Sequence, residues 1–522
     1  MTAPTSTATS KGSVVSDTLA GLVRELAAQR PDAPAVTLGE HTCTFAELDA
    51  RSSRVASALT AAGVVPGSRV AVLDKNAPTF YEVVFGAARI GAVTVGLNFR
   101  LAAPELAEIV ADAGPVVVVV APEFAHLLPA GGPRVVQLGE EYEAWLAAAP
   151  AGEPTHRPDP DDVVLQLYSS GTTGRPKGAM LTSANLMWTP RMGREFYGMD
   201  ADTVNLVPSP LFHIGGVGYS LTALGQGGHT VLVRDVDPVA LLRLIERHRV
   251  THTFLVPAVV QMLADSPALS GADLSSLRRI AYGAAPMGET QLLTAIALIG
   301  CDFMGVYGMT ETAGSVTALA PGDHDPGGPR AGLLRSVGRP VPWLEIRVVD
   351  PVTGTDAPVG GVGEIWVRSG QNTVGYWGQP ALTAEALVEG GWLRTGDAAY
   401  LDAEGYLYMH DRMKDMVVSG GENVYPAEVE NVLYAHPEVL EAAVIGVPSE
   451  RWGETVKAIV VRRPGATLDA AGLIAFARDR LAHYKCPTTV DFAHELPRNA
   501  SGKVLKKVLR EPFWAGTERQ VN

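Results

Sequence analysis

Apolar positions along the chain follow two alternating periods. Near the start, Leu19, Leu22, Val23 and Leu26 recur at helical spacing within Ser16 to Ala27, and Thr44 with Glu47 has the spacing of a capping box for a second helix ending by Gly63. Short unbroken apolar runs follow: Val70 to Leu73, Val116 to Val120 and Val163 to Leu167 read as strands buried on both faces, separated by helical stretches. A helix over Pro238 to Arg249 and a strand over Thr251 to Val256 carry this rhythm to about Val306. The alternation predicts an α/β architecture.

From Gly338 to Tyr408 the texture changes to short strands, among them Glu364 to Arg368 and Tyr406 to Met409, broken by Gly and Pro. This predicts a β-rich subdomain over about 338–411, within an N-terminal domain spanning 16–411. After Arg412 come a Gly-Gly turn, a helix opened by Pro426, and strands over Ala442 to Val447 and Val456 to Val461, which predict a small α+β domain over 415–522. Residues 1–15 read as a loose tail, and 149–162, rich in Pro, Gly and charge, as a linker or surface loop.

Composition narrows the class. A chain of 522 residues exceeds the size at which one core stops growing, and 47% apolar against 19% charged residues is the balance of a compact globular protein. A net charge of -14 with no basic stripe argues against a nucleic-acid binder. Cys43, Cys301 and Cys486 have neither disulfide nor metal-ligand spacing, which fits a reducing cytoplasm. The first dozen residues lack the apolar core of a signal peptide. The uncharged stretch Thr203 to Val233 carries Pro, His, Asn, Gln and many Gly residues, so it reads as buried interior and no membrane span is expected.

The run Tyr168 to Gly178, YSSGTTGRPKG, directly follows a predicted strand. Its glycines let backbone N–H groups converge on an anion, the hydroxyls of Ser169, Ser170, Thr172 and Thr173 add donors beside Gly171 and Gly174, and Lys177 supplies a point charge; the natural ligand is a triphosphate such as ATP. It differs from the common P-loop, which has Gly before the Lys and Ser or Thr after it, where this chain has Pro176 and Gly178. The hydroxyl that holds magnesium is missing, so a carboxylate from elsewhere must serve.

This run resembles the phosphate loop of the adenylate-forming superfamily of acyl- and aryl-CoA synthetases, carrier-protein adenylation domains and luciferases. The resemblance repeats in Tyr307 to Thr312 (YGMTET), in Thr395-Gly396-Asp397, in His410 to Asp415 (HDRMKD) and in Pro497 to Lys503 (PRNASGK), so it covers most of the chain. It implies a two-step reaction in which a carboxylate is adenylated and then passed to a thiol, with ATP, Mg2+ and coenzyme A taking part. Glu311 is then the magnesium carboxylate, and Thr310 a donor to the α-phosphate. Tyr307 is the adenine platform, faced by Gly283, Ala284 and Ala285, while Asp397, assisted by Arg412, accepts the ribose hydroxyls; alone, Asp397 reads as a turn residue.

The resemblance also makes His213 a gate between acyl pocket and thiol tunnel; without it, the uncharged run around His213 reads as holding a satisfied, buried histidine. Gly215, Gly216, Val217, Gly305, Thr312 and Ala313 line the implied acyl pocket. With no Arg or Lys among them, an acid with an uncharged body is expected. Lys503 would stabilise charge growing between the attacking carboxylate and the α-phosphate. Lys414 marks a hinge at 412–414 about which the C-terminal domain rotates, exchanging Lys503 for the thiol-admitting Ser419-Gly420-Gly421 turn.

The texture, including Ser419 to Pro426, is similar to bacterial fatty-acyl-CoA ligases. The expected function is therefore a cytoplasmic, AMP-forming fatty-acyl-CoA ligase, with a homodimer suggested by the family. Its rivals are an aromatic-acid ligase, an enzyme loading a carrier-protein phosphopantetheine, and a non-catalytic nucleotide sensor, which would have no use for Lys503.

Overall fold

A computed structural model of the chain describes residues 16–150, 156–169, 176–285, 287–412, 415–419, 422–424, 426–449, 452–498 and 504–514. They form two compact units. The first runs as far as Ala284 and adds Ala295–Val316 and Ser369–Glu385; the second takes Ala285–Thr294, Thr317–Arg368 and the chain from Ala386 onward.

In the first unit one sheet has the strand order Gly375–Tyr376, Lys177–Thr182, Val163–Ser169, Val93–Gly96, Arg69–Leu73, Val117–Val120 and Arg134–Gln137. Its five strands from Val163–Ser169 onward are parallel, and the first two join antiparallel. The apolar runs of the sequence form this sheet's middle, and Arg69–Leu73 and Val117–Val120 are buried at every position, as strands covered on both faces must be.

Helix Leu19–Gln29 begins three residues later than the apolar spacing predicts, because Thr18 caps it by accepting from the Gly21 N–H at 3.2 Å. Helix Phe45–Ala61 carries the expected capping box: the Thr44 hydroxyl accepts from the Glu47 N–H at 3.2 Å, and the Glu47 carboxylate accepts from the Thr44 N–H at 2.9 Å.

The unit's second sheet runs Asp302–Met309, Arg279–Gly283, His252–Leu255, Val204–Val207, His229–Leu232 and Pro34–Leu38, all parallel, and closes with antiparallel His41–Thr44. The uncharged stretch supplies two of these strands and helix Ile214–Leu224, whose residues from Gly216 to Leu224 are all buried. Among the described residues no helix is long and apolar enough to cross a membrane.

The second unit holds the β-rich region, an antiparallel sheet of Glu345–Val349, Gly363–Arg368, Trp392–Leu401 and Leu407–Arg412. It also holds the small α+β fold, in which Val439–Ser449 and Gly453–Arg462 pair antiparallel, Thr489–Ala493 adds parallel to the latter, and helices Pro426–Tyr434 and Ala470–Arg478 contribute to one core. Val444, Val456 and Leu473 share that core, whereas Ile445, Ile459 and Leu496 share a second one.

Burial pushes the imidazoles of His213, His229 and His252 down to about 4. The folded chain refuses protons that the unfolded chain takes up below about 6.5, so the stability these residues contribute is present above that pH and lost as pH falls toward 4. Thermal unfolding should show a lower midpoint at pH 5 than at pH 7. His252→Gln should flatten that dependence by on the order of 1 kcal/mol, since His252 is the most enclosed of the three at 2% exposure.

Candidate active site

Because neighbouring strands of the second sheet are parallel, their carboxyl ends open on one edge, the usual place for a ligand in such sheets. Strands Arg279–Gly283 and Asp302–Met309 pair there with Gly283 beside Val306. A Cβ on Gly283 would stand 2.3 Å from the Val306 carbonyl oxygen, and one on Gly308 would stand 2.0 Å from that of Gly314, so both positions require glycine for close backbone approach. Ala284 and Ala313 hold φ of 65° and 49°, left-handed conformations unusual for alanine. The predicted residues Gly283, Ala284, Gly305, Tyr307, Thr310, Glu311, Thr312 and Ala313 thus lie on two adjacent strands and the short turns that follow them. Thr312 is fully buried, and its hydroxyl accepts from the Met309 N–H at 3.1 Å and donates to the Gly314 carbonyl at 2.7 Å, which shapes this turn.

Glu311 is 5% exposed. Its Oε1 accepts from the Tyr376 hydroxyl at 2.9 Å, and its carbonyl accepts from the Thr373 N–H at 2.7 Å. Tyr376 stands on Gly375–Tyr376, which pairs with Lys177–Thr182, and the Lys177 ammonium lies 5.6 Å from the centre of the Tyr376 ring. One tyrosine therefore touches the carboxylate from the second sheet and the lysine from the first. Lys177 opens its strand opposite Ser169, and the Gln379 side chain donates to the Pro176 carbonyl at 3.2 Å.

His213 precedes helix Ile214–Leu224 and packs its ring 4.5 Å from that of Phe212. Its Nε2 is buried and has no hydrogen-bond partner among the described residues. Burial, followed by the positive charge of Arg100, keeps it neutral above pH 5. Asn76 holds the run before it, donating to the Ser209 and Val233 carbonyls at 3.0 Å and accepting from the Leu211 N–H at 2.9 Å. Gly215 faces Phe254, whose ring would meet a Cβ at 3.1 Å; Gly216 lies against the Pro210 carbonyl, which would meet one at 2.1 Å. Val217 is fully buried in the apolar core.

In the second unit, Asp397 is 6% exposed. The sequence reads Thr395-Gly396-Asp397 as a turn; it lies instead inside strand Trp392–Leu401, where the register with Gly363–Arg368 slips and Gly396 takes φ of 70°. Buried Glu364 fixes this bulge by accepting from the Gly396 N–H at 3.1 Å and from Arg394 Nε at 3.0 Å. Asp397 is the register partner of Arg412. Ala285 belongs to this unit, and Ser419 ends strand Val417–Ser419 beside Gly453. The Leu505 N–H donates to the Pro497 carbonyl at 2.7 Å. Ser170, Gly171, Thr172, Thr173, Gly174, Lys414, Gly420, Gly421 and Lys503 lie outside the described residues, as do the side chains of Ser169 and Arg412.

A family model described as "AMP-binding enzyme" matches residues 23–377. The chain belongs to this family. The companion description, "AMP-binding enzyme C-terminal domain", matches residues 428–503. A fatty acid–[acyl-carrier-protein] ligase of Streptomyces coeruleorubidus is 40% identical, over 95% of this chain and 96% of its own. A feruloyl-CoA synthase of an Amycolatopsis species is 44% identical, over 92% and 96%. The ATP-bound structure of MatB from Rhodopseudomonas palustris superimposes with a TM-score of 0.86 at 34% identity, covering 95% of this chain and 99% of that one. The enzyme is an AMP-forming acid–thiol ligase.

The ligase shows no activated thiol: burial pushes Cys43 and Cys301 up to about 12 and raises Cys486 as well. No group of three or more His, Cys, Asp or Glu able to hold a metal occurs among the described residues. Glu311 as a single enclosed carboxylate fits a magnesium ion whose other ligands are phosphate oxygens and water. Sequence reasoning missed Tyr376, Asn76 and Glu364, because each acts by a contact distant in sequence; the only local signal was a Gly-Tyr-Trp-Gly run at 375–378. Tyr376→Phe removes a donor to a buried carboxylate and should lower stability by about 1.5–3 kcal/mol in urea unfolding. Trp377→Phe, the neighbouring change, should leave the Glu311 contact intact and separate this effect from general damage to the short strand.

Proposed function

We propose that this ligase activates a carboxylic acid with an uncharged body as its acyl-adenylate and transfers the acyl group to coenzyme A, releasing pyrophosphate and AMP. The observation that carries the reading is the Glu311–Tyr376–Lys177 assembly, a carboxylate and an ammonium held by one aromatic side chain beside the phosphate-loop strand. Lys177 and the backbone of the Ser169 to Gly174 run bind the phosphates, and Thr310 donates to the α-phosphate. Tyr307, with Gly283, Ala284 and Ala285, binds adenine. Asp397 and Arg412 bind the ribose. Magnesium held through Glu311 would supply charge neutralisation for departing pyrophosphate. Lys503 stabilises the charge that grows on the attacking and bridging oxygens.

Neutral His213 is suited to face a thioester-forming step without competing for the phosphates. Lys414, within a hinge at 412–414, lets the domain over 415–522 exchange Lys503 for Ser419, Gly420 and Gly421, past which the thiol enters. The texture of the sequence favours a fatty acid; the names of the relatives include both fatty and feruloyl acids, and an acyl-carrier protein as well as coenzyme A as acceptor. A carrier protein is thus the second reading. A cytoplasmic homodimer is part of the proposal.

ATP–pyrophosphate exchange against fatty and aryl acids tests the first step. AMP release on adding coenzyme A, compared with a phosphopantetheinylated carrier protein, tests the second. Thiol-dependent AMP release with coenzyme A is expected, whereas release with the carrier alone would transfer the proposal to the second reading. Lys503→Ala should depress exchange by on the order of 10²–10³ while leaving thiolysis of a supplied acyl-adenylate far less affected.

A further inference from the structure

The phosphate-loop run leaves strand Val163–Ser169 after Tyr168 and returns as strand Lys177–Thr182, with Tyr168 standing opposite Gly178. Gln166 and Tyr168, two residues apart on the first of these strands, share one face of the pair. On that face a closed circuit of contacts begins and ends at Asp112, on helix Ala103–Ala113. The Tyr168 hydroxyl donates to the Asp112 carboxylate at 2.5 Å and accepts from the Gln166 side-chain amide at 3.0 Å. The Gln166 side-chain oxygen accepts from Arg69 Nε at 3.2 Å, and the Arg69 guanidinium lies 3.3 Å from the centre of the Trp377 ring. The Trp377 indole N–H then donates to the Asp112 backbone carbonyl at 3.0 Å.

This circuit bears on both stems of the phosphate loop. Tyr168 belongs to the first stem. On the second, a Cβ on Gly178 would stand 2.7 Å from the Gln166 amide nitrogen and 3.1 Å from Tyr168 Cζ, so the backbone beside Lys177 rests directly on two members of the circuit. A third member, Trp377, donates its backbone N–H to the Gly178 carbonyl at 2.8 Å, and its neighbour Tyr376 holds the Lys177 ammonium and the Glu311 carboxylate. The circuit is also an expensive way to fill this space. Gln166 is fully buried, and Arg69, 8% exposed, pairs with no carboxylate among the described residues; its other donors go to the Gly67 carbonyl and the Met180 sulfur. Apolar side chains would cover Trp377 without enclosing a guanidinium that has no counter-ion. Asp112 itself is exposed, so its bond to Tyr168 can be cut without opening the core.

We propose that Asp112 and Tyr168 are positioning residues for ATP: their hydrogen bond locks the circuit, and the circuit fixes the spacing of the two stems and so the place of Lys177 on the polyphosphate. Neither residue touches the nucleotide. The inference rests on the reading of Lys177 and its loop as the phosphate ligands.

Calorimetric titration of the full-length enzyme with ATP and with AMP, each in the presence of Mg2+, tests it on Asp112→Ala, Asp112→Asn, Tyr168→Phe and Lys177→Ala. Asp112→Ala and Tyr168→Phe should each weaken ATP by about 10-fold and AMP by less than about twofold, because AMP offers the loop no polyphosphate. Asp112→Asn keeps an acceptor for the Tyr168 hydroxyl and should bind ATP within about threefold of the wild type. Since both changes cut one bond, combining Asp112→Ala with Tyr168→Phe should weaken ATP no further than Tyr168→Phe alone. Without nucleotide, the thermal midpoint of Asp112→Ala should stay within about 2 °C of the wild type, whereas a merely structural role would lower it and weaken both nucleotides together. Unchanged ATP binding in both single variants, equal losses for ATP and AMP, no rescue by Asp112→Asn, or additive losses in the double variant would overturn the inference and leave the phosphate-loop reading in place. Unchanged ATP binding in Lys177→Ala, or no ATP binding by the wild type, would sink that reading as well.

Discussion

Much of the first unit depends on the close parallel approach of Arg279–Gly283 to Asp302–Met309. At Gly283 the gap to the neighbouring strand admits no side chain, since even a Cβ would fall 2.3 Å from the Val306 carbonyl. Pairing this tight fixes the register, and the register fixes where each strand ends. Ala284 and Thr310 consequently leave the same edge of the sheet, with alanines at 284 and 313 held in left-handed conformations to make the exits sharp. Relaxing the approach by one methyl group would shift the carboxylate of Glu311 as well as the backbone walls beside Tyr307.

A second tie joins the two sheets of that unit. Glu311 comes from one sheet and Lys177 from the other, and Tyr376 reaches both from a strand of only two residues. So short a strand contributes little to sheet stability by itself. It is anchored at its flanks, where the Val374 N–H donates to the Met180 carbonyl and the Trp377 N–H to that of Gly178, at 3.2 and 2.8 Å. Trp377 is held in turn under the Arg69 guanidinium, 3.3 Å from its ring. Oppositely charged groups from the two sheets are thereby brought to one aromatic side chain.

The parts of this fold that could be read from the sequence are those decided locally. Period and capping located the helices at Leu19 and Phe45, unbroken apolar runs located the parallel strands, and the thinning of that pattern after Gly338 located the antiparallel sheet. Donor-rich and acidic motifs marked the segments that follow strands Val163–Ser169 and Asp302–Met309 for the same reason: their residue types announce their chemistry at short range. The motif around Asp397 was legible, but its setting was not, because the bulge depends on Glu364, more than thirty residues earlier. Tyr376 and Asn76 were invisible, since a tyrosine after glycine and an asparagine before a helix have many commoner uses than holding a remote carboxylate or four remote backbone groups.

Unpartnered atoms divide the buried polar residues of this unit into two kinds. Asn76 saturates its amide on its surroundings and so can only be structural. His213 and Tyr219, at the start and in the body of one helix, have no partner for Nε2 and Oη among the described residues, as is also true of the hydroxyls of Tyr81, Thr94, Thr230 and Ser266. A chain selected only for stability has easy apolar replacements at both positions, phenylalanine for the tyrosine above all. Such an atom is satisfied only by water or by a partner that arrives from solution, so each of these polar side chains is kept at a cost in stability.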